Sequence, residues 1–336
     1  MADTAAPGRT TVDRSRADQL IPFGQLSRLR VDGSILFIYA LVVLVGAGAA
    51  IYSERFRDPA NLTNILRQTI VLGLLAIGQS LVILAGGIDM SIALIGRLST
   101  LIVAASFAGK DALILPLIAL GLGIGAVLGA VNGLIITRVY ASPFIVTFGM
   151  FSILSGISLA IASGPVGTIP PSYLNIYDAS IGSLPISVVA MALIWFAAWV
   201  LTSRTQFGRA LYAVGGSQRV AHLSAVPVSR TLVIAYILSG LCGAAGGLFI
   251  LARTGVGDPK MADGLEFQSI VAVALGGISL SGGRGSILGT LGGVLLLGVV
   301  ANMFNILQVD SFLQQLILGL IVLITVATYR TSKVSA

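Results

Sequence analysis

Ten apolar runs, separated by short polar segments, fill the chain between residues 34 and 328. They lie at 34–53, 68–86, 90–108, 112–137, 143–163, 184–202, 231–253, 267–281, 285–305 and 312–328. Runs of about 18 or more apolar residues are long enough to cross a bilayer as helices. The pattern therefore predicts an all-α, polytopic membrane protein with about ten transmembrane helices. The eighth run is short, and the third begins just after the second. Two polar connections are long. The first, 163–183, holds Pro165, Pro170 and Pro171 and no Lys or Arg. The second, 203–230, carries four Arg and divides six spans from four. Residues 34–330 read as one membrane domain, between tails at 1–33 and 331–336.

Composition supports lipid as the solvent. The chain is 56% hydrophobic and 10% charged, against roughly 25% charged in soluble domains. Charge then sets the orientation. With the N-terminus inside, 13 of the 20 Lys and Arg fall on the inner side and six on the outer, the bias expected of cytoplasmic loops. Arg55, Arg57 and Arg67 run against that bias, with Glu54 and Asp58 among them. Both termini are expected in the cytoplasm. The cations are scattered over separate loops rather than gathered on one face, which gives nucleic-acid binding no footprint. The first 33 residues hold five Arg and four Asp. They lack the short basic start and apolar core of a secretory signal, and read as a cytosolic tail ahead of an uncleaved first span. One cysteine, Cys242, and one histidine, His222, make neither a disulfide framework nor a metal site.

Small residues recur at four-residue spacing: Gly121, Gly125, Gly129 and Gly133; Ser239, Gly243 and Gly247; Gly285, Gly289 and Gly293. Such ridges let neighbouring helices approach closely and read as packing surfaces. Gly86-Gly87-Ile88-Asp89-Met90-Ser91 is echoed by Gly276-Gly277-Ile278-Ser279-Leu280-Ser281. Both segments follow spans of the same direction, so they do not mark an inverted repeat.

Ionisable groups inside spans are expensive and point to function. Asp89 follows two glycines that let the backbone turn. It reads as a cap for the next helix, or as a cap that also shapes a pore. Arg97 lies about two helical turns further on, roughly 12 Å along the axis, so the two are not expected to pair directly. Arg97 either snorkels to the surface or faces a wet path. Gln79, Asn132, Asn302 and Asn305 are amides within apolar runs, suited to bridging helices or to lining a path for a hydroxylated solute. No carboxylate pair, nucleophile–base pair or metal cluster emerges, so no catalytic residue is expected. The three lysines are followed by Asp111, Met261 and Val334, so none ends a P-loop. ATP-driven transport would need its ATPase in another subunit.

Three groups of motifs carry a resemblance. One is Gly78-Gln79-Ser80 through Gly86-Gly87-Ile88-Asp89-Met90-Ser91. Another is Asn132-Gly133 with Pro143-Phe144-Ile145-Val146-Thr147-Phe148-Gly149. The last runs from Thr205-Gln206-Phe207-Gly208-Arg209 through Gly215-Gly216 and on to Gly276-Gly277-Ile278-Ser279-Leu280-Ser281-Gly282-Gly283-Arg284-Gly285. Together they resemble the ribose/xylose/arabinose/galactose-type permeases of bacterial ABC importers, over about residues 35–330. The resemblance implies a permease subunit in the bacterial inner membrane that moves a monosaccharide or related derivative. Its implied partners are a periplasmic sugar-binding protein, a second permease copy or close paralogue, and an ABC ATPase that holds ATP and Mg. No cofactor is implied in this chain, and membrane lipid surrounds it. The translocation path is then expected to involve Gln79, Asp89, Ser91, Arg97, Asn132, Phe144, Thr147 and Asn302. The inner connection 203–230 becomes the coupling loop, with Gly215, Gly216, Ala221, His222, Leu223 and Ser224 at the ATPase, in a stretch expected to include the short helix that enters a groove of it.

The chain departs from the family pattern at Ser217, Val220 and Ala225 beside the coupling segment, and at Ala93 and Arg97, where the family carries small residues. Arg97 would suit an unusual or anionic sugar derivative. The alternatives are an ion-coupled secondary transporter centred on Asp89 and a branched-chain amino-acid ABC permease.

Overall fold

The computed structural model describes residues 33–182 and 184–310, together with 312–314, 316, 317, 319 and 320. Its helices are α1 (Gly33–Tyr52), α2 (Glu54–Arg57), α3 (Pro59–Leu84), α4 (Ile92–Ser106), α5 (Ile114–Val139), α6 (Pro143–Ile161) and α7 (Pro171–Asp178). Then come α8 (Ile186–Arg204), α9 (Gln206–Gly216), α10 (Gln218–Leu223), α11 (Val228–Thr254), α12 (Leu265–Leu275) and α13 (Ile287–Ile306). A hairpin of two-residue strands, β1 (Ser180–Ile181) and β2 (Leu184–Pro185), precedes α8.

Among the described residues, seven helices are long and apolar enough to cross a membrane: α1, α3, α5, α6, α8, α11 and α13. Helices α4 and α12 are apolar but shorter, at 15 and 11 residues. The tenth expected run, 312–328, lies largely outside the described residues. Helix α3 begins nine residues before its apolar run. Its start is set by Asp58, whose side chain accepts the Ala60 amide at 2.9 Å, and by Pro59 in the first turn, where a missing N–H costs nothing. The two long connections also contain helices the apolar pattern did not mark: α7 in the first, α9 and α10 in the second.

The bundle is layered by burial. Residues 69–84 of α3 and 92–101 of α4 are buried without a break, as expected of helices apolar on all sides. Helices α5, α6 and α8 bury one face only. In α8 that face is Met191, Trp195, Ala198 and Thr202. Their other faces expose Leu115, Ile145 and Leu193 to 77%, 69% and 64%, surface that belongs in lipid rather than water.

Small residues set the central packing. Helix α11 lies against α3, α4 and α5. A methyl group added at Gly125 would stand 2.4 Å from the Gly240 carbonyl oxygen, and one at Gly129 2.2 Å from that of Tyr236. One at Gly96 would stand 2.4 Å from the Gly243 oxygen. The ridges at 121–133 and 239–247 thus face each other backbone to backbone. Gly289 and Gly293 press in the same way on Gly276 and Ala272 of the α12 region.

Helix α7 folds over the end of the bundle opposite α9 and α10. Tyr173 is buried there, packs its ring against Phe107 in a tilted pair with centroids 5.1 Å apart, and donates its hydroxyl to the Leu248 carbonyl at 2.9 Å. Val166 and Gly257 exchange backbone hydrogen bonds of 2.8 and 2.9 Å, joining this cover to the segment that leads into α12.

Candidate functional site

Helix α3 stops where a glycine permits it. Gly86 has φ of +85°, which favours glycine. The Gly86 and Gly87 amides return to the carbonyls of Ile83 and Val82 at 2.9 and 3.0 Å, closing a Schellman turn. Residues 88–91 then cross the protein interior outside any helix. Their backbone groups must find partners there, because unpaired buried ones are costly.

Side chains from other helices supply those partners. Thr147 of α6 accepts the Met90 amide at 3.2 Å and donates to the Ile88 carbonyl at 2.9 Å. With its amide turned to satisfy its neighbours, Gln79 donates to the Asp89 carbonyl at 3.0 Å and accepts the Asp89 amide at 3.3 Å. The Asp89 carboxylate accepts the Ser91 amide and hydroxyl at 3.0 and 2.7 Å. Its other oxygen accepts the Ser239 hydroxyl of α11 at 2.7 Å. Asn132 of α5 donates to the Ser91 oxygen at 2.8 Å. All these residues are buried except Ile88, which is partly so. The Asp89–Ser91 contact is an Asx turn just ahead of α4; Ser91, at the N-cap of α4, makes no side-chain cap hydrogen bond, so this turn stands where a helix cap was expected.

Five of the eight expected path residues therefore meet: Gln79, Asp89, Ser91, Asn132 and Thr147. They tie the α3–α4 break to α5, α6 and α11. Ser239 completes the group, although its sequence signal was only a small residue in a packing ridge. The Tyr236 hydroxyl is buried and has no hydrogen-bond partner among the described residues, and a methyl added at nearby Gly87 would stand 2.5 Å from it.

The other three lie elsewhere. Arg97 is 3% exposed. It donates from Nε to the Met261 carbonyl at 2.8 Å and forms an ion pair with Asp263, so α4 is tied to the segment before α12. It does not reach Asp89. Asn302 of α13 exchanges amide hydrogen bonds of 3.1 and 2.8 Å with Asn61 of α3, a helix bridge. Phe144 is half-exposed on α6 and stacks on Phe148, which stacks on Phe151, at 5.9 Å each.

A second convergence lies directly beneath the α3–α4 break. Gly283 donates to the Leu84 carbonyl at 3.0 Å. A methyl at Gly215 would stand 1.8 Å from that same carbonyl oxygen and 2.6 Å from the Gly283 nitrogen. One at Gly282 would stand 2.7 Å from the Gly86 Cα, and one at Gly283 2.6 Å from the Gly216 nitrogen. Three glycine doublets, one each from the end of α3, the end of α9 and the α12–α13 connection, touch backbone to backbone. The Tyr212 hydroxyl adds a hydrogen bond to the Gly285 carbonyl at 2.9 Å.

The α12–α13 connection repeats the turn of the α3–α4 break. Gly277 has φ of +85°, and the Gly277 and Ile278 amides return to Ala274 and Val273 at 2.9 and 3.2 Å. The equivalent backbone positions are Gly86 and Gly277, one residue out of register with the sequence echo.

Beyond this junction, Thr205 caps α9 through the Gly208 amide at 3.2 Å, and Ser217 caps α10 through Val220 at 3.3 Å. Helix α10 buries Ala221 and leaves His222 exposed, with Val220 and Leu223 exposed to 61% and 79%. The expected coupling residues thus form one segment that runs from the glycine junction to an apolar surface.

Residues 61–326 match the family described as branched-chain amino acid transport system / permease component. The ribose import permease protein of Bacillus subtilis is 38% identical over 301 residues, covering 89% of this chain and 92% of its own. The D-allose transport system permease protein of Escherichia coli is 31% identical and covers 96% and 98%. The fructose import permease protein of Rhizobium meliloti is 35% identical and covers 86% and 83%. These relatives are named as transporter permeases, not enzymes. No solved structure matches the chain.

Proposed function

We propose, for a chain that belongs to the branched-chain amino acid transport system / permease component family, that it is the membrane permease of an ATP-driven monosaccharide importer. The family description names amino acids. The relatives similar over most of this chain are named for ribose, allose and fructose, which supports a sugar over a branched-chain amino acid. On this reading the chain sits in a bacterial inner membrane with both termini in the cytoplasm. A binding protein delivers the sugar outside. A separate ATPase, which binds ATP and Mg, docks on the α9–α10 segment, and a second permease completes the pore.

One observation carries the mechanism. Helix α9, which leads into exposed α10, ends in glycines that press on the last turn of α3 and on the α12–α13 connection. No flexible side chains intervene to absorb movement. A displacement of α10 by the ATPase therefore passes to both helix breaks, and through Asp89 to α5, α6 and α11. The Asp89 cluster is fully buried and tied to α5, α6 and α11, and on this reading it acts as a lock between those helices. The sugar need bind the permease only weakly, because selection occurs on the binding protein.

The test is uptake of radiolabelled pentoses, hexoses and polyols in cells with and without the gene for this chain. Loss of uptake of one monosaccharide on deletion, restored by the intact chain, supports the reading and names the substrate. Unchanged sugar uptake with lost leucine or valine uptake would replace it by the amino-acid reading.

A further inference from the structure

A groove of about 400 Å³ runs along the outside of the bundle between α3, α8 and α13. Val188, Trp195 and Trp199 of α8 and Leu288, Leu291 and Leu295 of α13 line it, with Leu66 and Thr69 of α3 as its floor. Its one hydroxyl, on Thr69, already donates to the Leu66 carbonyl at 2.8 Å. A sugar in this groove would leave its own hydroxyls without partners, so the groove is no part of a sugar path.

Its length and one of its ends identify the occupant. From Val188 to Trp199 is eleven residues of helix, about 16 Å at 1.5 Å per residue. That is about half of a 30 Å hydrocarbon core, the depth of one leaflet. The Arg204 guanidinium lies over the Trp199 ring at 5.7 Å, just past the end of the groove and at the last residue of α8. Arg204 is exposed, and no carboxylate among the described residues forms an ion pair with it. Tryptophan at the boundary with an unneutralised arginine beside it is an arrangement suited to a headgroup. Guanidinium binds phosphate oxygens with paired, charge-assisted hydrogen bonds.

We infer that this groove holds an acyl chain of an anionic phospholipid whose phosphate rests against Arg204. The aromatic wall of α8 contacts the chain, and the arginine selects the headgroup. The lipid then fills the seam between α8 and α13 and steadies α13 against α3.

Native mass spectrometry of the full-length permease in mild detergent tests this, with phosphatidylglycerol and phosphatidylcholine of the same acyl chains titrated separately. Phosphatidylglycerol should be retained at least tenfold better. Arg204→Gln, at an exposed position, should erase that preference, and Arg204→Lys should keep most of it. Ala192→Trp, which fills the groove, should lower retention of both lipids. Equal retention of the two lipids by the unmodified chain, or an undiminished preference in Arg204→Gln, would overturn the inference. So would efficient disulfide formation between copies carrying Phe196→Cys in native membranes, since the groove would then be covered by a second permease.

Discussion

Gly215 and Gly216 are neighbours on α9 with opposite surroundings. A methyl at Gly215 meets the Leu84 carbonyl oxygen at 1.8 Å and the Gly283 nitrogen at 2.6 Å, whereas one at Gly216 meets nothing within 4 Å. Both obstacles at Gly215 are backbone and already bonded to each other, so neither can rotate away. Gly215→Ala must push α9 off the junction or break the Gly283–Leu84 hydrogen bond. Overpacking of this kind costs about 1–3 kcal/mol, and the lost hydrogen bond adds roughly 1 kcal/mol. A total of about 3 kcal/mol is roughly a hundredfold in the folding equilibrium. Gly216→Ala should instead gain about 0.4–1 kcal/mol by restricting the unfolded chain. Thermal unfolding of the two purified variants checks the sign. Uptake checks the coupling: Gly215→Ala should lose most transport even at temperatures where it remains folded, and Gly216→Ala should retain it. If the two variants match in both stability and uptake, the reasoning about a backbone-to-backbone linkage is wrong.

Other consequences can be measured in the same way. Asp89→Ala removes the acceptor of three hydrogen-bond donors, Ser91 N–H, Ser91 O–H and Ser239 O–H, and should destabilise by about 2–4 kcal/mol. Ser239→Ala, which removes one of them, should cost about 1 kcal/mol, both read by thermal unfolding. Arg97→Ala and Asp263→Asn should show a coupling of at most about 1 kcal/mol in a double-mutant cycle, because the Asp263 side chain is 66% exposed and screened by solvent. A larger coupling would mean the pair is closed off from water. Leu223→Glu on exposed α10 should leave unfolding unchanged while abolishing the permease's stimulation of its ATPase. Intact stimulation would remove α10 from the docking surface.

The long helices were legible because lipid demands apolar runs: α5, α6, α8, α11 and α13 start and stop within about three residues of those runs. The start of α3 was not, because Asn61, Asn64, Arg67 and Gln68 break its apolar pattern while Asp58 and Pro59 fix its first turn. Helices α7 and α9 lie in segments whose polarity resembles loops, and only the family resemblance pointed to a short helix where α10 lies. Their apolar anchors, such as Tyr173 and Leu211, are too few to form a run. At the site, Asp89, Gln79 and Asn132 stood out as polar groups in apolar surroundings. Their mutual contacts did not, since Ser239 is 150 residues from Asp89 and Asn132 is 41 from Ser91. Arg97 drew attention without its partner, because Asp263 lies in a polar segment where a carboxylate is unremarkable. Each glycine doublet was readable as a local turn. Only the fold brings the three together.

Energy coupling is the central claim, and proteoliposomes holding the permease and its ATPase, with the binding protein outside, test it most directly. The measurement is entry of labelled monosaccharide with ATP sealed inside, with and without an ionophore that collapses the ion gradients. Entry should require internal ATP and be indifferent to the ionophore. Entry that proceeds without ATP and stops when the gradients collapse would contradict it and make Asp89 the centre of an ion-coupled transporter.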